Sequence, residues 1–374
     1  MVLNIVSFNI PYPPDYGGVI DVFYKLKSLQ ELGVNIILHT FEYGRKHSAE
    51  LEKYCNKVYY YKRHTGIISQ LSTLPYIVKS RKNKELIKNL SSNDYPILFE
   101  GIHTCYYLGN SSLSNRLKIV RTHNIEHFYY DGLRKTTKSV IEKLYFWLEK
   151  IRLKHYEKKL NFSNYIIPLS KSDTDYFQYK FGKEKVIYIP IFHQNDKVEI
   201  VEKIEKPYLL FHGNLSVAEN INSAIYLNEN ITQRDHSLDI IIAGKDPDKL
   251  LITKLKDLEN VTIIGNPSSE EMEKLVKNAS INVLYTEYPA GVKIKLINSL
   301  YTGRFCLAND AMLEGSGLED LCLKFPENNS ELLKIIHKYY TKDFDLSEQE
   351  KRLQKLDSLY GNRLNAQQII DLLQ

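Results

Sequence analysis

The sequence predicts an α/β protein of two Rossmann-like, doubly wound parallel-sheet domains facing a central cleft. Three observations carry this expectation. Strand-like and helix-like segments alternate through both halves of the 374-residue chain, the pattern of parallel sheets covered by helices. The strand-like segments are continuous apolar runs, as strands buried on both faces require. The pattern also turns polar over 193–206 and then resumes, which marks an interdomain linker.

In the first half the strand-like runs are 3–8, 35–40, 58–61, 97–100, 118–121, 165–168 and 186–191. Helical periods lie between several of them. The clearest covers 140–160, where Ile141, Leu144, Leu148, Ile151 and His155 share one stripe with lysines opposite. Its basic residues, with Trp147 and Phe146, also fit a helix lying on a membrane surface. Packing of those aromatics in the core is the simpler reading. Beyond the linker the runs are 208–212, 238–243, 261–264, 281–285, 305–308 and 321–325. The expected domains are 1–195 and 206–345, with helices over 346–374 packing back toward the first.

Composition narrows the class. Apolar content of 43% and charge of 25% are those of a globular chain. No apolar run approaches the roughly 20 residues of a bilayer span, and the N-terminus lacks the features of a signal peptide. A cytoplasmic protein is expected, with peripheral contact to the inner face of the membrane as an extension of that expectation. The cysteines Cys55, Cys105, Cys306 and Cys322 are scattered, without zinc or redox spacing. Charge is unevenly placed. Residues 1–200 carry 30 Lys/Arg against 19 Asp/Glu, while 201–374 carry 20 against 26. The basic half suits an anionic membrane surface as a partner. It shows no helix-turn-helix or zinc-finger spacing, so nucleic acid is not expected.

Ligands of such sheets bind at the carboxyl ends of strands, so the turns there carry the chemistry. No strand is followed by Gly-x-Gly-x-x-Gly or by a Gly-x4-Gly-Lys-Ser/Thr loop, which argues against nicotinamide enzymes and nucleoside triphosphatases. After the first strand, Gly17 and Gly18 open a helix and allow close backbone approach. His103 and His123 each stand just past a strand end. In the second half Gly213 and Asn214, Gly244 and Lys245, and Gly265 and Asn266 end successive strands. The stretch 289–303 is the most telling: a Pro/Gly turn, then a helix with Lys293 and Lys295 in its first turn. Cations there oppose the helix dipole by roughly 0.3–1 kcal/mol each, so a bound anion such as a diphosphate is expected. Of three Asp-x-Asp triplets, those at 173 and 343 read as helix-start acids, and the one at 246 is the better candidate for a metal.

The order and spacing of these turns resemble the GT-B glycosyltransferases, specifically the retaining family 4 group and its bacterial mannosyltransferase-like members. The resemblance spans nearly the whole chain. Gly17-Gly18, Thr122-His123-Asn124 and Ser170-Lys-Ser-Asp173 match the acceptor-side domain. Phe211-His-Gly-Asn214, Ile242-Ala-Gly-Lys245, Val261-Thr-Ile-Ile-Gly265 and Gly291-Val-Lys-Ile-Lys295 match the donor side. The resemblance implies transfer of a sugar from a nucleotide-diphosphate donor to an acceptor hydroxyl, with retention and without a metal or other cofactor. It places the base near Gly265 and Asn266, the diphosphate near Gly213 and the helix start of Gly291, Val292 and Lys295, and Asn214 and Lys245 elsewhere on the donor side. Lys293 or Lys295 would neutralise the charge on the leaving diphosphate. The acceptor, a saccharide or a lipid-linked one, would lie near Gly17, Gly18, His103 and His123, with His123 orienting it.

Two departures from the family pattern follow. The family carries two glutamates eight positions apart, and here Ala290 and Asn298 stand in those places. Glu287 is then the expected substitute for the first, and Asn298 a weaker hydrogen-bonding one for the second. Asn214 and Asn220 occupy the region where an arginine and a lysine are usual. These departures keep two alternatives open: a catalytically degenerate GT-B subunit serving a partner, and a GT-B sugar-nucleotide epimerase.

Overall fold

The computed structural model describes residues 1–66, 72–200, 203–287 and 294–374. The chain forms two compact units, Met1–His193 with Tyr360–Gln374, and Gln194–Leu359.

The first unit holds six parallel strands: β1 (Val2–Ser7), β2 (Asn35–Glu42), β3 (Lys57–Lys62), β4 (Ile97–Glu100), β5 (Lys118–Thr122) and β6 (Tyr165–Pro168). Their order across the sheet is β3-β2-β1-β4-β5-β6. The second unit repeats this winding with β7 (Leu209–Asn214), β8 (Ile240–Lys245), β9 (Val261–Gly265), β10 (Ile281–Leu284), β11 (Phe305–Ala308) and β12 (Leu323–Lys324), in the order β9-β8-β7-β10-β11-β12. The direction of winding reverses between β1 and β4 and again between β7 and β10. Such switch points leave a crevice at the carboxyl ends of the strands.

Both faces of the first sheet are covered, which is why its strands read as unbroken apolar runs. Leu3 and Ile5 join Leu26 of the helix Gly17–Glu31 and Ile369 of the C-terminal helix Asn362–Asp371. Val6, Phe99 and Val120 join Leu153 on the opposite face. In the second unit Phe211, Ile242 and Val283 pack with Leu227 and Ile336. Helix starts are fixed by side-chain caps. Ser139 and Ser170 each accept from a backbone N–H three residues on, and Ser268 forms a capping box with Glu271.

Three expectations need correction. The run 186–191 is not a strand: only Val186 bridges to Ile166, and the carbonyls of Ile189 and Pro190 go instead to the Arg121 guanidinium. The run 321–325 shrinks to the two residues of β12, which pair with Leu307 and Ala308. On the helix Val140–Tyr156, Trp147, expected with Phe146 in the core, is exposed, and the apolar stripe faces outward with it. Ile141, Leu144, Leu148, Ile151 and His155 are exposed, while Glu149, Leu153 and Tyr156 point inward and Phe146 packs against the core. Of the tail, the helix Leu346–Tyr360 belongs to the second unit as far as Leu359, and the segment from Tyr360 joins the first. Among the described residues no helix is long and apolar enough to cross a membrane.

Candidate active site

At the switch point of the first unit, the chain leaves β1 at Ser7 and re-enters regular structure at Gly17. The helix Gly17–Glu31 is preceded by Tyr16, whose side chain makes no cap, and its first turn has no acid. Its leading N–H groups therefore carry the uncompensated positive end of the dipole. Glycine at position 18 has a packing cause: an added Cβ would come 2.8 Å from the Phe8 ring. That ring is the common neighbour of both candidate histidines, with centroids 5.5 Å from His103 and 5.4 Å from His123. Gly18, His103 and His123 thus gather around one aromatic side chain.

Beneath them lies a charged cluster. Asp21 and Lys25, one helical turn apart, are fully buried with Glu100 at the end of β4 and Arg121 in β5. Lys25 Nζ lies 2.8 Å from Asp21 Oδ2 and 2.9 Å from Glu100 Oε1. Arg121 grips Asp21 through both carboxylate oxygens, at 2.7 and 3.1 Å, and the backbone N–H of Phe192 donates to it at 2.9 Å. Burial would raise the Asp21 carboxyl, but the charges of Arg121 and Lys25 overcome this and hold it well below the usual range. His123 Nε2 meets Glu100 Oε2 at 3.2 Å, and its Nδ1 is buried without a partner. Asp21, Glu100 and His123 lie close enough to hold a metal ion. Lys25 already bridges the two carboxylates, however, and two cations balance two anions there, so the cluster does not fit one.

His103 follows Gly101, whose φ of 70° requires glycine's freedom. Burial, then the nearby Arg81 charge, pushes the His103 imidazole well below its ordinary value, so this ring is neutral. Arg81 donates from Nε to the Phe8 carbonyl at 2.9 Å, locking the β1 turn. Past His123, Glu126 is buried in the first turn of the helix Glu126–Thr136. Burial lifts its pKa to about 8, with repulsion from Asp173 adding to this against a hydrogen bond from Asn124.

In the second unit, parallel register sets Gly213, Gly244 and Gly265 side by side across β7, β8 and β9. A Cβ on Gly244 would stand 1.7 Å from the Gly213 carbonyl oxygen. One on Gly213 would meet Asn220 at 3.0 Å, and one on Gly265 would meet Pro247 at 2.9 Å. The glycine row is thus demanded by the packing of the sheet ends themselves. Asn214 and Lys245 lie next to it as register partners, both exposed. Asn266 and Asp246 both adopt left-handed backbone, with φ of 53° and 47°, and the Asn266 side-chain oxygen accepts from the Asp246 N–H at 2.9 Å. Asp248, the candidate metal acid of that turn, caps the helix Lys249–Leu255.

Gly291, Val292 and Lys293 lie outside the described residues. Lys295, in the first turn of the helix Ile294–Thr302, sets its Nζ 5.4 Å above the Phe211 ring. Burial, reinforced by the Lys295 charge, holds the neighbouring His212 imidazole at about 3. Its Nε2 is buried without a partner. Asn298 lies one turn further along and accepts from Asn195 at 2.8 Å. Glu287 is exposed beyond β10. Sequence reading missed Asp21, Lys25, Glu100, Arg81 and Glu126. For the first two a signal existed: opposite charges four apart, sandwiched between Val22, Leu26 and Leu29 on an apolar helix face.

No family model matches the chain. It is 27% identical over 332 residues to an uncharacterized 44.6 kDa protein in the cps region of Klebsiella pneumoniae, covering 84% of each chain. Among solved structures, a point mutant of S. aureus TarM in complex with fondaparinux, α-GlcNAc-glycerol and UDP superposes with a TM-score of 0.68 at 12% identity, covering 100% of both chains. A glycosyltransferase from Rickettsia africae gives 0.63 at 15% identity, covering 100% of this chain and 97% of the other. The chain has the GT-B glycosyltransferase fold.

Proposed function

We propose that the protein is a retaining glycosyltransferase. It moves a hexose-type sugar from a nucleotide-diphosphate donor to a hydroxyl of a saccharide, lipid-linked or protein-linked acceptor in cell-surface glycan synthesis. The observation that carries this is the β7 switch point. A glycine row, a half-buried His212 whose neutral ring has an unpartnered Nε2, and the Lys295 ammonium converge where this architecture takes a phosphorylated ligand. The UDP bound to TarM and the cps setting of the Klebsiella relative favour the same reading.

In this mechanism the bond from the anomeric carbon to the leaving phosphate oxygen breaks as the acceptor oxygen bonds on the same face. The acceptor's proton passes to that leaving phosphate oxygen. Lys295 and Lys293 stabilise the charge on the diphosphate, the part a metal would otherwise play. His212 offers its neutral ring to the donor, while His123, oriented by Glu100, positions the acceptor hydroxyl. The base lies by Gly265 and Asn266, and the Gly17–Gly18 helix start receives an anionic group of the acceptor.

UDP, GDP or dTDP is expected to raise the melting temperature, and Lys295→Ala to remove most of that rise. No shift with any of the three would defeat the proposal. The degenerate-subunit reading retains one supporting observation, since the Asn298 amide is engaged by Asn195. Transfer from a labelled donor by the purified chain separates the two.

A further inference from the structure

The helix Val140–Tyr156 shows solvent a face that a folded core would normally claim. Val140 and Ile141 are 79% and 82% exposed, Trp147 is 47% exposed, and Leu144, Leu148 and Ile151 are exposed beside them. Their spacing puts all six within one third of the helix circumference, so they form a continuous apolar stripe. The helix is anchored from behind. Leu153 and Tyr156 are buried, and the Glu149 carboxylate accepts from the Tyr76 N–H at 2.7 Å and from Arg152 at 2.7 Å. The stripe therefore cannot turn inward without dismantling that anchorage.

What borders the stripe decides what covers it. Lys143 and Lys154 are exposed along one edge, and neither meets an acid among the described residues. Lys150, further round, is paired with Asp131 at 3.0 Å. The acids of the segment lie off this face. Glu149 and Glu157 are buried, and Glu142, on the far side by its spacing, takes a hydrogen bond from Thr137. The exposed surface is apolar in the middle and cationic along one edge. A second copy of the chain docking here in a two-fold antiparallel helix pair would set these lysines against their own equivalents. A bilayer with anionic headgroups accepts both features at once: the stripe enters the acyl boundary and the lysines meet phosphate.

We propose that this helix docks the first unit in plane on an anionic membrane surface. The inference rests on the helix surface alone and stands whether or not the chain transfers sugar.

Trp147 is the single tryptophan of the chain and lies within the stripe, so its fluorescence reports the docking directly. With vesicles of phosphatidylglycerol and phosphatidylcholine in low salt, the full-length protein is expected to show a blue-shifted emission, quenched by brominated lipid. The double variant Lys143→Ala/Lys154→Ala is expected to bind roughly thirtyfold more weakly, the equivalent of about 1 kcal/mol per lysine. Ile141→Ser/Ile151→Ser is expected to abolish the quenching. Three results would overturn the proposal: no spectral change in low salt, equal change with pure phosphatidylcholine, or a blue shift that grows with protein concentration in the absence of lipid. The last would assign the face to a second copy instead.

Discussion

Asp21 and Arg121, 100 positions apart, meet as a doubly hydrogen-bonded ion pair with both side chains fully buried. The pair ties the first helix to β5 directly beneath His123. Breaking a buried pair strands the remaining charge and costs about 3–5 kcal/mol. Asp21→Ala should therefore lose stability of that order in urea unfolding at neutral pH. Because the folded carboxyl is held below its unfolded value of 3.8, the pair's contribution is complete above that pH and fades as pH falls below it. The variant's deficit should shrink in strong acid.

Glu126 gives the opposite sign. The folded carboxyl keeps its proton up to about 8, whereas the unfolded one releases it near 4.5. Stability should decline as pH rises between those values, on the order of a few kcal/mol. Asp173, raised by burial to about 6, adds to the decline in the lower part of that range. Glu126→Gln should flatten most of it, as read from melting temperatures between pH 5 and 8.

Two glycines should answer oppositely to alanine. At Gly244 the methyl group would collide with backbone at 1.7 Å, and the loss should be about 3 kcal/mol or more. Gly132 lies inside the helix Glu126–Thr136 with nothing within 4 Å of an added Cβ. Alanine there should gain roughly 0.5–1 kcal/mol. Denaturant titration of the two variants in parallel checks both.

Loss of Lys295 should act on two observables. His212 titrates at about 3 through burial and the Lys295 charge, so in Lys295→Ala its imidazole signal in NMR should titrate at higher pH. In the same variant the melting shift from a nucleoside diphosphate should fall, linking the electrostatics of β7 to ligand binding. A higher His212 value with an undiminished nucleotide shift would mean that Lys295 is not a phosphate contact.

Glu100→Gln should separate positioning from binding. It keeps the shape but weakens the hold on His123 and leaves Lys25 paired with Asp21 alone, so stability should fall, while turnover per folded molecule should drop by at least tenfold and the nucleotide-induced melting shift stay unchanged. His123→Ala should lower turnover further without changing that shift.

The sequence by itself determined the sheet-building strands, the repeat of one winding in both halves and the turns at which candidate residues cluster. These follow from local causes: apolar runs long enough for a buried strand, glycines where sheet ends crowd together, and serines that cap helices. The glycine row of β7 to β9 was legible turn by turn, although its cross-strand alignment needed the register. Tertiary structure alone decided which side of the helix Val140–Tyr156 meets the core. Periodicity tells which residues share a face, but the face that is buried depends on partners far away in the chain, here Tyr76 for Glu149. The same holds for Asp21, Lys25, Glu100 and Arg121. Each is an ordinary charge in sequence, and only the folding of three separated segments onto one point removes water and makes them a single neutral cluster.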